Sequence, residues 1–314
     1  MDGVLLVDKP AGITSAGVVR ALKARVDPRK IGHLGTLDPF ATGLLPLCIG
    51  EATKVAQFLT AEAKGYTGRI RLGVETDTLD CTGRVLREAP VPAIDARALH
   101  ELARQLHGVR LQTPPMFSAV KQGGVPLYRL ARRGIEVERS PRPIEVHGLT
   151  LRPAGDAEID FHVDCSKGTY VRVLAADIGR ALGCGGHLTA LRRVRFGAFD
   201  VRYAHALASL LEAAPREALP VVPVRSALAH LRELAIPPQA GPALRRGQQH
   251  ILGTLPPAEE PAEVAMVVTS AGDLVAIVQA DAARGAWRVA RILADAAESP
   301  EPREGKLYKP HPVC

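Results

Sequence analysis

Residues 32–46 read GHLGTLDPFATGLLP. From Gly32 to Gly43 the apolar positions follow neither the period of a helix nor that of a strand, and the run carries three glycines, Pro39 and a lone acid, Asp38. It then passes into LLPLCIG, which predicts a buried strand continued by a helix from about Glu51 to Thr60. A long irregular loop held between core segments is usually functional, because loops carry reactive side chains on a rigid frame. Taken alone, an Asp before Pro is ordinarily a turn former whose side chain accepts a local backbone hydrogen bond.

Outward from this loop the chain alternates strands and helices. Val4 to Val7 predicts a short strand, followed by a turn at KPAG and a helix with apolar Val18, Val19, Leu22 and Val26 behind the candidate caps Thr14 and Ser15. YTGRIRLG alternates as a strand, and Asp95 to His107 spaces Leu99, Leu102, Ala103 and Leu106 helically before Gly108 ends the run. IDFHVD sets Ile159, Phe161 and Val163 on one face and Asp160, His162 and Asp164 on the other. SKGTYVRVLAADIGRALG predicts a turn into a helix closed at Gly183.

The stretch from Pro215 to Pro242 is richer in proline and predicts a boundary zone, with a helical turn or two over Ser226 to Leu234. Beyond it EVAMVVTS, DLVAIVQA and AWRVARIL predict three strands of a small β-rich module, with LPPAEEPAE as a surface loop. The last residues, ESPEPREGKLYKPHPVC, are polar and proline-rich enough to be expected mobile.

With 314 residues, 46% hydrophobic and 23% charged, the chain can bury a sizeable core in two domains. No stretch reaches the roughly 18 apolar residues of a membrane-spanning helix, and the start, MDGVLLVDKPAG, places its acid first; the expectation is a cytoplasmic chain without signal peptide or membrane association. Cys48, Cys81, Cys165, Cys184 and Cys314 are odd in number and form no CxxC pair, which argues against a disulfide framework and a closed zinc site.

The net charge of +7 gathers in clusters: Arg20, Lys23, Arg25, Arg29 and Lys30, then Arg129, Arg132 and Arg133, then Arg192, Arg193 and Arg195. A polyanionic partner would explain them, as would solvated helix faces.

Asp38 acquires meaning from its company. His33 stands in the same loop, and KGYTG and SKGTYVR each place a tyrosine, Tyr66 or Tyr170, beside glycine in a chain with only 4% aromatic residues. A ring where backbones approach closely can stack on a base. Two other groupings, Asp77 and Asp80 with Asp38 as a glycosidase-like carboxylate set, and Cys184 with His187 as metal ligands, are set aside: sequence proximity does not place paired carboxylates, and two ligands close no site.

Six segments in order, LLVDKPAGITS, GHLGTLDPFATGLLP, KGYTGRIRLGVETDTLDCTGRV, TPPMFSAVKQGGVPLYRLARRG, CSKGTYVRVLAADIG and HLTALRRVRFG, cover most of residues 3 to 200, and together they resemble the bacterial tRNA pseudouridine synthases of the TruB type. The resemblance implies an α+β pseudouridine synthase fold, a mixed and largely antiparallel sheet flanked by helices and loops, over residues 1–235. Residues 236–314 resemble a PUA-like RNA-binding module more loosely, the LPPAEEPAE segment having no counterpart motif.

By the same resemblance Asp38 is the catalytic carboxylate and Arg172 the cation beside it, expected within about 4–6 Å and expected to lower its pKa. Tyr66 stacks on the target uracil, Tyr170 lines the site, Leu191 forms its apolar wall, and His33 supports the flipped-out nucleotide. Lys9, Lys121, Arg132, Arg133, Arg192 and Arg193 are the candidate phosphate contacts. The implied reaction converts the uridine at position 55 of the tRNA T-loop to pseudouridine by base flipping, cleavage of the glycosidic bond and rejoining through C5. It implies tRNA as partner, no cofactor, no metal, no obligate protein partner and a monomer. An RNA-guided relative of the family and a tRNA-binding or tRNA-folding protein with a minor catalytic role are the alternatives.

Overall fold

The computed structural model describes residues 2–23, 30–60, 63–212, 219–283 and 285–294. The proline-rich tail with Cys314, the cluster members Arg25 and Arg29, the apolar Val26 and the start of the boundary zone at Pro215 lie outside the described residues.

The chain opens with β1 (Gly3–Lys9), α1 (Ser15–Lys23), β2 (Ile31–His33), β3 (Thr42–Ile49), α2 (Ala52–Leu59) and β4 (Lys64–Leu72). A hairpin of β5 (Val74–Thr76) and β6 (Val85–Glu88) precedes α3 (Ala96–Gln105) and β7 (Gly108–Gln112). A second hairpin, β8 (Lys121–Gln122) and β9 (Val125–Pro126), leads into α4 (Leu127–Ala131). Then come β10 (Arg142–Gly155), β11 (Glu158–Cys165), α5 (Val171–Ala181) and β12 (Gly186–Phe196).

These strands form one sheet in the order β1-β3-β12-β4-β11-β10-β7, antiparallel except where β3 and β12 run parallel. Short strands extend it: β13 (Phe199–Asp200) pairs with β12, while β14 (His205–Ala206) and β15 (Val221–Val222) pair with β1. The mixed, largely antiparallel sheet of the α+β fold is therefore present.

Local chemistry accounts for these elements. β1 is a continuous apolar run because both its faces are covered: Leu5 and Val7 join one core, Val4 and Leu6 another. Thr14 Oγ1 accepts from Gly17 N at 2.9 Å, so of the two candidate caps Thr14 caps α1. Asp95 caps α3 through Arg97 N at 3.0 Å. The first core fills one face of the sheet beneath α1, α3, α5 and α6 (Leu207–Glu212), through Leu22, Leu99, Leu174 and Leu210.

The opposite face is covered over the β1–β3 half by α2, by α7 (Val224–Ala227) and by a second sheet. That sheet runs β16 (Arg232–Ile236), β17 (Val264–Thr269), β18 (Leu274–Asp281) and β19 (Ala286–Ile292), with α8 (Ala240–Arg245) against it. The three expected strands are joined by a fourth, β16, parallel to β17. Where a helical turn or two was expected over Ser226–Leu234, α7 occupies 224–227, a turn follows over 228–231, and strand begins at Arg232, because Leu234 and Ile236 alternate into a core closed by the distant β17. β16 straddles the expected domain boundary at 235/236.

The β-module is packed onto the main sheet. Met266, Val268, Ile277 and Leu293 share a core with Val4, Leu6, Val55 and Phe196. Glu51 accepts from Ala294 N at 2.7 Å and pairs with Lys54, which in turn donates to Ile292 O at 3.3 Å. Among the described residues no helix is long and apolar enough to cross a membrane.

Candidate active site

Asp38 sits in the connection from β2 to β3 and lines a cavity of about 320 Å³ together with Tyr66, Tyr170, Arg172 and Leu191. β4 supplies Tyr66, the start of α5 supplies Tyr170 and Arg172, and β12 supplies Leu191. Residues more than 150 positions apart in the chain thus meet at one carboxylate, because β12 lies between β3 and β4 in the sheet.

Arg172 holds Asp38 in a fork. Its Nε donates to Asp38 Oδ2 at 2.8 Å and its Nη2 to Asp38 Oδ1 at 3.2 Å. The remaining donors reach Thr78 O at 2.8 Å and Phe117 O at 2.7 Å, and Asp80 Oδ2 lies 3.8 Å from Nε. At 4% exposure the guanidinium has no freedom to swing away, so it orients the carboxylate as well as pairing with it. Asp80 is itself fixed by Thr78 Oγ1, Thr82 N and Thr82 Oγ1.

The electrostatic outcome differs from the expected lowering. Asp38 keeps 32% of its side chain open to the cavity, but protein crowds it on the other sides. Burial pushes its carboxyl above the usual carboxylate range; Arg172 opposes this, Asp80 reinforces it, and Lys9 opposes it more weakly. Desolvation outweighs the opposite charge here because Arg172 is shared between two carboxylates.

Tyr66 is almost fully buried, and burial raises its phenol, with Arg193 acting in the opposite direction. Tyr170 is held at the start of α5 by Gln112, whose Oε1 accepts from Tyr170 N at 2.8 Å and whose Nε2 donates to Tyr170 O at 3.1 Å. His33 does not line this cavity. It faces a separate depression with Lys23, Lys30 and Cys48, and burial lowers its imidazole toward the neutral form.

Two expected phosphate contacts are corrected. Lys9 is fully buried, and its ammonium donates to Pro10 O at 2.9 Å, Ile13 O at 2.8 Å and Pro39 O at 3.2 Å; burial lowers its pKa to about 8. Arg193 is 1% exposed and donates to Leu44 O at 2.7 Å and Gly35 O at 3.1 Å. Both brace the Asp38 loop from inside and cannot reach a phosphate. Gly43, at φ +96°, is needed opposite Arg193, where a Cβ would collide with the Arg193 carbonyl.

Arg192, which precedes Arg193 on β12, points to the other face of the sheet, half-exposed and forked onto Asp8 at 2.9 and 2.7 Å. Lys121, Arg132 and Arg133 are exposed around β8, β9 and α4, and Arg132 lies 5.6 Å from the centre of the Tyr128 ring. Cys184 Sγ contacts the neighbouring Gly185 O, and His187 Nδ1 hydrogen-bonds the distant Val74 O at 2.8 Å.

The functional groups that sequence reasoning missed are Gln112, the Thr78 and Phe117 carbonyls, and Lys9 as a neighbour of the carboxylate. Asp80 was visible only as a member of a carboxylate set; no local pattern showed that a turn would aim it at Arg172.

Residues 23–171 match the model of the TruB family pseudouridylate synthase N-terminal domain, and residues 172–234 that of the tRNA pseudouridylate synthase B C-terminal domain. The chain is 49% identical over 238 residues to the tRNA pseudouridine synthase B of Aromatoleum aromaticum, covering 75% of this chain and 77% of that one. To the tRNA pseudouridine synthase B of Chromohalobacter salexigens it is 45% identical over 256 residues, covering 81% and 83%.

Its fold resembles that in a crystal structure of a Cbf5-Nop10-Gar1 complex, with TM-score 0.71 and 24% identity over 95% of this chain and 87% of that one. The mixed, largely antiparallel sheet with its covering helices is a pseudouridine synthase fold. The chain belongs to the TruB family of pseudouridylate synthases.

Proposed function

We propose that this enzyme isomerises the uridine at position 55 of the tRNA T-loop to pseudouridine, with Asp38 as the catalytic carboxylate. The observation that carries the reading is the oriented, partly open carboxylate of Asp38 in a cavity that Tyr66 and Leu191 also line. The flipped nucleoside enters this cavity, where Tyr66 stacks on the uracil and Leu191 packs against it.

Ionised Asp38 either adds to the ribose C1′ or removes the 2′ proton; both roles need the charge that Arg172 orients. The glycosidic bond to N1 breaks, the uracil turns within the pocket, C5 joins C1′, and the C5 proton leaves while N1 gains one. Bonds are redistributed within a single nucleotide, so the overall change is redox-neutral. Tyr170 lines the site, and His33, at the end of β2, supports the RNA where the base has left its stack.

Lys121, Arg132, Arg133 and Arg192 are the proposed phosphate contacts, Arg192 after exchanging Asp8 for RNA. The module from about residue 236 acts as a PUA-like RNA-binding unit, supported by its rigid seat on the catalytic sheet. The enzyme acts alone, as a monomer in the cytoplasm.

Isomerisation releases the C5 hydrogen, which gives a direct assay: the purified chain with a T-stem-loop hairpin tritiated at uridine C5 releases tritium stoichiometrically with the target uridine. Retention of tritium by the hairpin in the absence of added guide RNA or protein sinks the reading.

Because the ionised form is the working one and burial raises the Asp38 carboxyl, activity falls as pH drops through a value above the ordinary 3.8. A kcat/KM profile against pH checks this; an acid limb at or below 3.8 contradicts the site's electrostatics.

A further inference from the structure

Among the described residues the side chain of Asp38 hydrogen-bonds to Arg172 alone, yet the backbone of the loop on either side of it is held by a second segment, residues 9–15. On the Pro39 side Gly12 N donates to Pro39 O at 2.8 Å, with Lys9 Nζ also on that oxygen. On the Leu37 side the contact is a single hydroxyl. Ser15 Oγ accepts from Leu37 N at 2.8 Å and donates to Leu37 O at 3.2 Å, satisfying both polar groups of the residue before Asp38.

Ser15 is free for this because its neighbour Thr14 already caps α1. It is 2% exposed, and Leu37 is buried beside it, so no water is at hand to replace the hydroxyl. We propose that Ser15 is a positioning residue for the catalytic carboxylate, fixing the backbone at Leu37 so that Asp38 meets the Arg172 fork and the ribose in one geometry. This rests on the function proposed above.

A hydroxyl that fixes the loop acts on the reacting geometry more than on RNA affinity, since Ser15 is absent from the walls of the cavity. Loosening Leu37 lets Asp38 swing outward toward solvent, which relieves the desolvation that raises its carboxyl.

The test compares Ser15→Ala and Ser15→Thr with the wild-type chain by three measurements. These are tritium release from the C5-labelled hairpin, titration of the carbon-13-labelled Asp38 carboxyl by NMR, and hydrogen exchange at the Leu37 amide. Ser15→Ala is expected to lower kcat by about 10- to 100-fold with KM nearly unchanged, to move the Asp38 titration downward, and to speed exchange at Leu37. Ser15→Thr, which keeps the hydroxyl, is expected to recover most of each.

An unchanged Asp38 titration in Ser15→Ala, or a loss of kcat that Ser15→Thr does not rescue, overturns the proposal. The titration and exchange arms need no turnover, so a wild-type chain that releases no tritium while Ser15→Ala still shifts the Asp38 titration refutes the proposed function and leaves the positioning role standing.

Discussion

Asp38→Asn is expected to lower tritium release from the C5-labelled hairpin by about 10³-fold or more, since it removes the carboxylate proposed to attack C1′ or take the 2′ proton, the one acid among the residues that line the cavity. Asparagine keeps the shape and can still accept from Arg172, so RNA binding is expected to stay nearly unchanged. The fold is expected to survive for an electrostatic reason. A carboxyl raised on folding is a group whose charge opposes the folded state at neutral pH, a cost relieved as pH falls through the raised value, and the neutral amide carries no such cost. Filter binding and thermal unfolding separate these effects: full turnover by Asp38→Asn removes Asp38 from the chemistry, and a collapsed fold shows that its charge is needed for structure instead.

The second large effect belongs to Arg172. Its guanidinium serves Asp38, Asp80, Thr78 O and Phe117 O from a site 4% exposed. Arg172→Ala leaves Asp38 and Asp80 without the guanidinium between them and with only the weaker influence of Lys9 on Asp38, and breaking a buried pair in this way costs about 3–5 kcal/mol. Arg172→Lys keeps the charge but cannot fork onto Asp38 while reaching both carbonyls. It is expected to fold with part of that loss and to lower kcat by roughly 10²-fold.

Because Arg172 opposes the upward shift of the Asp38 carboxyl, both variants are expected to move the acid limb of the pH profile to higher pH. Denaturant unfolding and kcat against pH check the two halves. Wild-type kcat in Arg172→Lys shows that charge alone suffices and that the fork is dispensable.

Much of this site was legible before the structure. Asp38, Tyr66, Tyr170, Arg172 and Leu191 each stand in an ordered segment with its own motif, and all five meet at one cavity. The phosphate contacts were less legible. Arg192 and Arg193 are chemically identical neighbours, and only the pleat of β12 sends one to the open face and the other into the core. Lys9 looked like any lysine before a turn, but three carbonyls from residues 10, 13 and 39 converge on it only after β1 pairs with β3. The strand Arg232–Ile236 was misread because five residues of mixed polarity carry little periodicity, and its partner β17 lies about 30 residues further on.

The division follows the range of the forces. The sequence by itself determined what short-range physics controls: the irregular loop around Asp38, the capped helices, the alternating strands, the glycine stops at Gly108 and Gly183, and the order of motifs that carries the family. Tertiary structure alone decided which charges face water and which brace the interior, how Asp80 shares Arg172 with Asp38, and that the carboxyl rises despite its cation. Those outcomes depend on burial and on groups tens to hundreds of residues apart, and desolvation is a property of the assembled site that no residue carries in its neighbours along the chain.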